Sequence, residues 1–172
     1  MKRRLLLLSI FFSLIALNDA QGQTLYLHGG AGFPRSSTFD ATHLAGVNAG
    51  IGVGIPLSSR FEFLFRGTYD RFGTNHTESR PFSSYSTTAH LKWRPLMTAT
   101  RLRPYAMAGA GNFMEVEGPF AFELGLSFSA GLSVRTSPRT RFEIEPNYLL
   151  VFTEGENRMY VPVRLGVAYS LR

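Results

Sequence analysis

Cysteine is absent from all 172 residues of the chain. Its absence excludes disulfide bonds, thiol catalysis and anchoring through a lipid-modified cysteine. The chain also lacks paired histidines or acidic residues at metal-ligand spacing, and it contains no glycine-rich phosphate loop. We therefore expect no metal site and no cofactor.

Long apolar runs are also scarce. Beyond residue 22 no stretch approaches the ~20 apolar residues that a membrane-spanning helix requires. The mean hydropathy of −0.01 argues against a helical membrane protein. The length fits one domain. If the chain crosses a membrane, it must do so as a closed barrel of strands.

The first 22 residues have the three parts of a secretory signal peptide. A basic start, Lys2 to Arg4, precedes an apolar run from Leu5 to Leu17. Ala20-Gln21-Gly22 then offers small residues for cleavage, which we predict after Gly22, with Ala20 as the alternative. The apolar run is too short for an anchor helix. Residues 1–22 are thus predicted to be a cleaved signal peptide and residues 23–172 the exported domain.

The stretch Phe120–Arg135 alternates with a period of two. Every second residue from Phe120 to Val134 is apolar, and the intervening residues are small, polar or charged. This period indicates a strand with one apolar and one polar face. A row of Phe and Leu suits a lipid-facing wall, whereas Gly, Ser and an occasional charge suit a narrow lumen. A membrane barrel is therefore favoured over a soluble, lipocalin-like barrel.

Eight segments of this kind predict an all-β fold, an eight-stranded antiparallel up-and-down transmembrane β-barrel. They are Thr24–Phe33, Leu44–Ile55, Arg60–Tyr69, Ser84–Arg94, Pro104–Met114, Phe120–Arg135, Arg141–Phe152 and Met159–Leu171. The fifth segment is apolar or small on both faces, and we assign Tyr105, Met107 and Phe113 to the outside. Pro146 predicts a bulge in the seventh segment.

The connections divide into two sets. Those after even-numbered strands are tight or basic and are predicted to be periplasmic, where their arginines would attract anionic headgroups. Those after odd-numbered strands, among them Asp70–Ser83, carry acidic groups and are predicted to be extracellular. Candidates for the aromatic girdles at the two interfaces are Tyr26, Tyr69, Tyr85, Trp93, Tyr105, Tyr148 and Tyr169.

The inward set contains charges of both signs. Its members are Glu62, Arg66, His90, Lys92, Glu123, Arg135, Arg141, Glu143, Glu145 and Arg164. Unpaired charges in a narrow, partly dry lumen would be costly, so we expect these groups to pair. The favoured interpretation is a structural network that fills the lumen, since eight strands leave no aqueous channel by default. The alternatives are an ion or proton path and a binding site open at one end.

The last strand carries the residues of a family resemblance. Arg164, Gly166, Tyr169 and Leu171 match a C-terminal pattern of polar residue, glycine, aromatic and hydrophobic residue, although Arg172 follows where the commonest form ends on an aromatic. With the signal peptide and strand pattern, the chain resembles the small outer-membrane β-barrels of Gram-negative bacteria, the OmpA-like or porin-family eight-stranded barrels.

This resemblance implies several partners and a location. The chain would be an outer-membrane protein with a structural or surface-interaction role. The barrel assembly machinery would read the C-terminal signal, and outer-membrane lipid and lipopolysaccharide would surround a monomer that binds no nucleic acid.

Two other functions remain as alternatives. One is a narrow channel for ions or small solutes. The other is a lipid A-modifying enzyme, because some small outer-membrane barrels have that activity. His76, Glu78 and Ser79 lie together in the second outer loop, but the His-x-Ser pattern of the deacylases is absent. We therefore expect no catalytic residues and no enzyme.

Overall fold

The computed structural model describes residues 22–74, 81–95, 101–116, 122–154 and 157–171. Eight antiparallel strands each pair with the next, and the first closes onto the last. They are β1 (Thr24–Pro34), β2 (His43–Pro56), β3 (Phe61–Thr74), β4 (Phe82–Trp93), β5 (Leu102–Glu115), β6 (Phe122–Arg135), β7 (Thr140–Phe152) and β8 (Arg158–Ser170). A six-residue helix, α1 (Ser37–Thr42), joins β1 to β2. The predicted closed eight-stranded antiparallel barrel is confirmed.

One end of the barrel holds the first and last described residues, Gly22 and Leu171, and the tight turns. In the turn after β2, the backbone N–H groups of Leu57 and Ser58 donate to the carbonyl of Phe61. The turn after β6 repeats this arrangement, with Thr136 and Ser137 donating to the carbonyl of Thr140. We call this the terminal end and the opposite end, where α1 lies, the loop end.

The outer wall is apolar. Ile51 is 67% exposed, Leu124 66% and Leu27 64%, while their strand neighbours point into the lumen. Such a contiguous apolar surface is the reverse of a soluble barrel and fits contact with lipid tails. Of the aromatic candidates for the girdles, Tyr85, Trp93, Tyr148 and Tyr169 are exposed on this wall, and the ring of Tyr69 lies 5.0 Å from that of Tyr85.

The assignment of the β5 side chains was wrong. Tyr105, Met107 and Phe113 are buried in the lumen, so Tyr105, like Tyr26, is not a girdle residue. Glycines explain the direction: a side chain at Gly131 would collide with the Tyr105 ring, and one at Gly125 with the Phe113 ring. The rings of β5 thus fill space that the glycines of β6 leave open.

The boundaries of β3 and β4 were also wrong. Both strands extend into the predicted loop Asp70–Ser83, so Asp70 lies within β3 and is fully buried. Phe72 and Phe82 pair across the two strands and point inward. Near the loop end these inward side chains are apolar. The predicted strand boundaries depended on polar side chains facing the lumen, and that pattern does not hold here.

The predicted bulge at Pro146 is also wrong. Pairing of β7 with β6 has the same register on both sides of Pro146, as does pairing with β8. The exposed proline interrupts the ladder with β6 locally without adding a residue.

Among the described residues, no helix is both long enough and apolar enough to span a membrane.

Candidate functional site

Most of the predicted lumen charges lie inside the barrel. Each of the following is less than a tenth exposed: Glu62, Arg66, His90, Lys92, Glu143, Glu145 and Arg164. They come from β3, β4, β7 and β8 and meet in two clusters, one near the terminal end and one at mid-depth. This region, which we call the lumen network, is the candidate site.

Lys92 is the centre of the cluster near the terminal end. Its ammonium group is fully buried and lies 2.7 Å from both carboxylate oxygens of Glu143. The same Nζ lies 3.9 Å from the Tyr105 ring centroid and 4.9 Å from that of Tyr26. The carboxylate and the two ring faces together replace the water that this cation loses.

A second acid in this cluster is Glu62 of β3. Its Oε1 accepts a hydrogen bond from the Tyr26 hydroxyl, and its Oε2 lies 2.7 Å from Arg94 Nη2. Burial lowers the pKa of the Arg94 guanidinium, but the Glu62 carboxylate raises it, and the net pKa lies above the usual value. Arg94 was not among the predicted lumen charges, although its i, i+2 spacing from Lys92 puts it on the same face.

Glu145 is the acceptor at the centre of the mid-depth cluster. Arg66 donates to both of its oxygens, at 2.7 and 3.0 Å, in a bidentate pair. Arg164 donates to Oε1 at 3.3 Å, and the Tyr105 hydroxyl donates to Oε2 at 3.2 Å. One carboxylate of β7 thus holds two buried guanidiniums, one from β3 across the barrel and one from the neighbouring β8.

Two buried histidines lie beside this cluster. His28 Nε2 lies 3.3 Å from the Thr68 hydroxyl, and His90 Nε2 lies 2.8 Å from the Thr88 hydroxyl. The Nδ1 atom of each ring has no hydrogen-bond partner. Neither histidine therefore has the carboxylate that orients a catalytic base in a triad.

Aromatic side chains close the lumen at the loop end. Phe39 of α1 reaches in from above, with ring centroids 5.2 Å from those of Phe72 and Phe82. Tyr160 packs 5.2 Å from Phe72, and its hydroxyl donates to Asp70 at 3.3 Å. We call these four rings the aromatic cap. Sequence reasoning missed it because these residues fell in or beside predicted loops.

Three predicted members of the lumen network lie at its rims. Glu123 sits at the loop end and pairs with Arg158 at 3.4 Å. Arg135 is exposed at the terminal end, where its Nε donates to the Ser137 carbonyl. Arg141 is half-buried there, and its Nη2 reaches the Tyr26 hydroxyl at 3.5 Å. Glu123 and Arg135 are on the inward face of β6, but each lies at a strand end where water can solvate it, so neither belongs to the two buried clusters.

Two cavities within the described part of the lumen are small. A cavity between the two clusters, beside Tyr26 and Glu145, has a volume of about 10 Å³. Another beneath the loop end, beside Phe113 and Tyr160, is also about 10 Å³. Each holds at most about one water molecule. Within the described ranges no group of three or more His, Asp or Glu residues could bind a metal ion.

The four residues of the C-terminal pattern lie along the β8–β1 seam. Arg164 points inward, and Gly166 pairs with His28. Tyr169 is exposed on the outer wall, and Leu171, just past β8, donates its backbone N–H to Gln23. Recognition of this pattern by the assembly machinery stays a prediction.

Comparison with known proteins gives one family and several solved structures of the same fold. Residues 5–170 match the family described as outer membrane protein beta-barrel domain. No curated protein sequence matches the chain.

Three solved structures share the fold. Neisserial surface protein A is 18% identical over 87% of this chain and 97% of its own, with a TM-score of 0.70. The outer membrane protein OprG from Pseudomonas aeruginosa is 12% identical over 87% and 95%, with a TM-score of 0.58. The outer membrane enzyme PagL is 11% identical over 86% and 99%, with a TM-score of 0.51.

Proposed function

Because the chain belongs to the outer membrane protein β-barrel domain family, we propose that it serves in the outer membrane as a sealed, non-catalytic barrel with a structural or surface-interaction role. The observation that carries this proposal is the double closure of the lumen. The lumen network fills the lumen from the terminal end to mid-depth, and the aromatic cap closes the loop end. A sealed barrel leaves the outer wall and the loops as its working surfaces.

Export and orientation are part of the proposal. Residues 1–22 are removed as a signal peptide, and residues 23–172 form the barrel domain. The terminal end faces the periplasm, since that is where the termini and short turns of bacterial barrels lie. The loops then contact lipopolysaccharide, the seam around Tyr169 is read by the assembly machinery, and the barrel is a monomer. The name of Neisserial surface protein A supports a surface role by analogy only.

Planar-bilayer conductance tests the sealed lumen. Protein refolded in detergent is first run unboiled and boiled on a denaturing gel, where a heat-modifiable band shows the closed barrel. The folded protein is then added to the bilayer, and we expect no stable conductance steps. Steady conductance that Glu143→Gln alters would overturn the proposal in favour of a channel. The matched control, Arg60→Gln, changes an exposed arginine of the turn after β2 and should leave any current unchanged.

Mass spectrometry of lipid A tests the absence of catalysis. His28 and His90 are hydrogen-bonded to threonine hydroxyls in the lumen, where an acyl chain of the surrounding lipid cannot reach them. The residues His76, Glu78 and Ser79 lie outside the described residues. We expect an identical acyl pattern from cells with and without the gene. A gene-dependent loss or gain of an acyl chain would make the protein an enzyme, as PagL is.

A further inference from the structure

A basic pocket opens at the terminal end of the barrel. It is a concavity of about 190 Å³ between the ends of β5, β6, β7 and β8. Its wall includes Arg103, Ser133, Arg135, Arg139, Arg141 and Ser170. It is far larger than the cavities of the lumen network and lies outside them. Four arginines and two serines thus line one space.

The fold forces these arginines together. The β6–β7 register places Arg135 directly opposite Arg141. Pairing of β5 with β6 places Arg103 opposite Ser133, which lies two residues from Arg135 on the same face. Arg139 is fixed in the intervening turn, where its backbone N–H donates to the Ser137 hydroxyl at 3.2 Å. Like charges directly opposite one another destabilise a strand pair, so this arrangement favours a bound anion.

The positive charge of the pocket is not neutralised by the described part of the chain. None of the ion pairs among the described residues includes Arg103, Arg135, Arg139 or Arg141. Two acids of the lumen cluster near the terminal end, Glu62 and Glu143, are paired with Arg94 and Lys92. In addition, Nε of Arg141 is buried without a hydrogen-bond partner.

We propose that the basic pocket binds a phosphate ester. The guanidinium groups of arginines from β6, β7 and the turn between them donate hydrogen bonds to its oxygens. Arginine forks match phosphate geometry and bind it through paired, charge-assisted hydrogen bonds. The pocket lies at the depth of the exposed ring of Tyr169, which pairs with Thr140 at the start of β7. Aromatic rings of this kind sit at the headgroup level of a bilayer. A lipid headgroup and free phosphate are the two sources of this chemistry.

Titration calorimetry on the refolded protein in an uncharged maltoside detergent tests the site. The probes are inorganic phosphate and a short-chain phosphatidylglycerol. An uncharged alkyl glycoside, which lacks a phosphate group, serves as the blank. The test variant is Arg135→Gln combined with Arg139→Gln, both outside the lumen network. We expect its affinity for a bound probe to fall by at least about ten-fold, as the loss of charge-assisted bonds predicts. Arg60→Gln, across the barrel at the same end, should change affinity less than about two-fold, because a distant exposed charge contributes little.

The two probes separate the sources. If both bind and both depend on the two arginines, the phosphate group alone is recognised. If only the lipid binds, the ligand is a headgroup phosphate held at the membrane surface. The inference is overturned if neither probe binds the folded protein, or if Arg60→Gln weakens binding as much as the double variant, since the attraction would then be diffuse. A heat-modifiable band from every variant shows that folding is intact.

Discussion

Replacing Glu145 by glutamine should destabilise the barrel severely. The side chain keeps its shape but loses the charge that faces Arg66 at 2.7 Å and Arg164 at 3.3 Å. Two guanidiniums, each less than a twentieth exposed, would then lose the one carboxylate that both of them contact. Breaking a buried ion pair by removing one partner costs about 3 to 5 kcal/mol. That is a large part of the ~5 to 15 kcal/mol that stabilises a typical domain.

Urea unfolding from lipid vesicles measures this cost. The chain has one tryptophan, Trp93, and its ring is exposed on the lipid-facing wall, so its emission reports insertion directly. The matched control is Glu123→Gln, whose carboxylate pairs with Arg158 at the solvated rim. Rim pairs of this kind are worth less than about 1 kcal/mol.

Two results decide the question. Adding Arg164→Gln to Glu145→Gln should recover part of the lost free energy of unfolding, because one uncompensated charge is then removed. If Glu145→Gln costs no more than the Glu123→Gln control, the cluster is solvated and the reasoning is refuted.

Three further predictions follow from packing and from the C-terminal seam. Gly109→Ala should lower the free energy of unfolding by about 1 to 3 kcal/mol, since its methyl would lie 2.5 Å from a histidine nitrogen, whereas Gly67→Ala, with open space around it, should be nearly neutral. Equal effects in the same urea assay would contradict this. Phe39→Ala should speed proteolysis of the loop between β1 and β2 without changing the heat-modifiable band, and an unchanged rate would show that the cap is not held by this ring. Tyr169→Ala should reduce outer-membrane yield in cells more than Tyr148→Ala, a tyrosine of similar exposure elsewhere on the wall; equal yields would remove Tyr169 from the assembly signal.

The strands could be predicted from the sequence because lipid and a narrow lumen demand opposite side chains. In β2, every second residue from Gly46 to Gly54 is small enough to face a crowded interior, and Ile51 between them faces outward. A period of two then identifies both the strand and its faces. The same logic placed Glu145 and Lys92 inside.

The failures occur where that contrast disappears. In β5, alanines face out and Tyr105 and Phe113 face in, so hydrophobicity does not distinguish the two faces. What decides the orientation is space left by Gly125 and Gly131 of the next strand, and a single strand carries no record of it. The position of Phe39 could not be predicted for a similar reason, because only the closed barrel shows that its ring contacts Phe72.

Charge in this barrel is arranged by depth, and this arrangement separates stability from binding. The lumen holds four carboxylates, on Glu62, Asp70, Glu143 and Glu145, and four cations, Arg66, Lys92, Arg94 and Arg164, and all of these except Asp70 form ion pairs. The excess positive charge therefore lies elsewhere, and the basic pocket holds part of it at the terminal end. The two roles should then respond to different substitutions. Arg135→Gln with Arg139→Gln should abolish most phosphate binding and leave unfolding unchanged, whereas Glu145→Gln should lower stability and leave the affinity of the remaining folded protein unchanged. A single variant from either set that alters both quantities would show that the lumen and the rim are coupled.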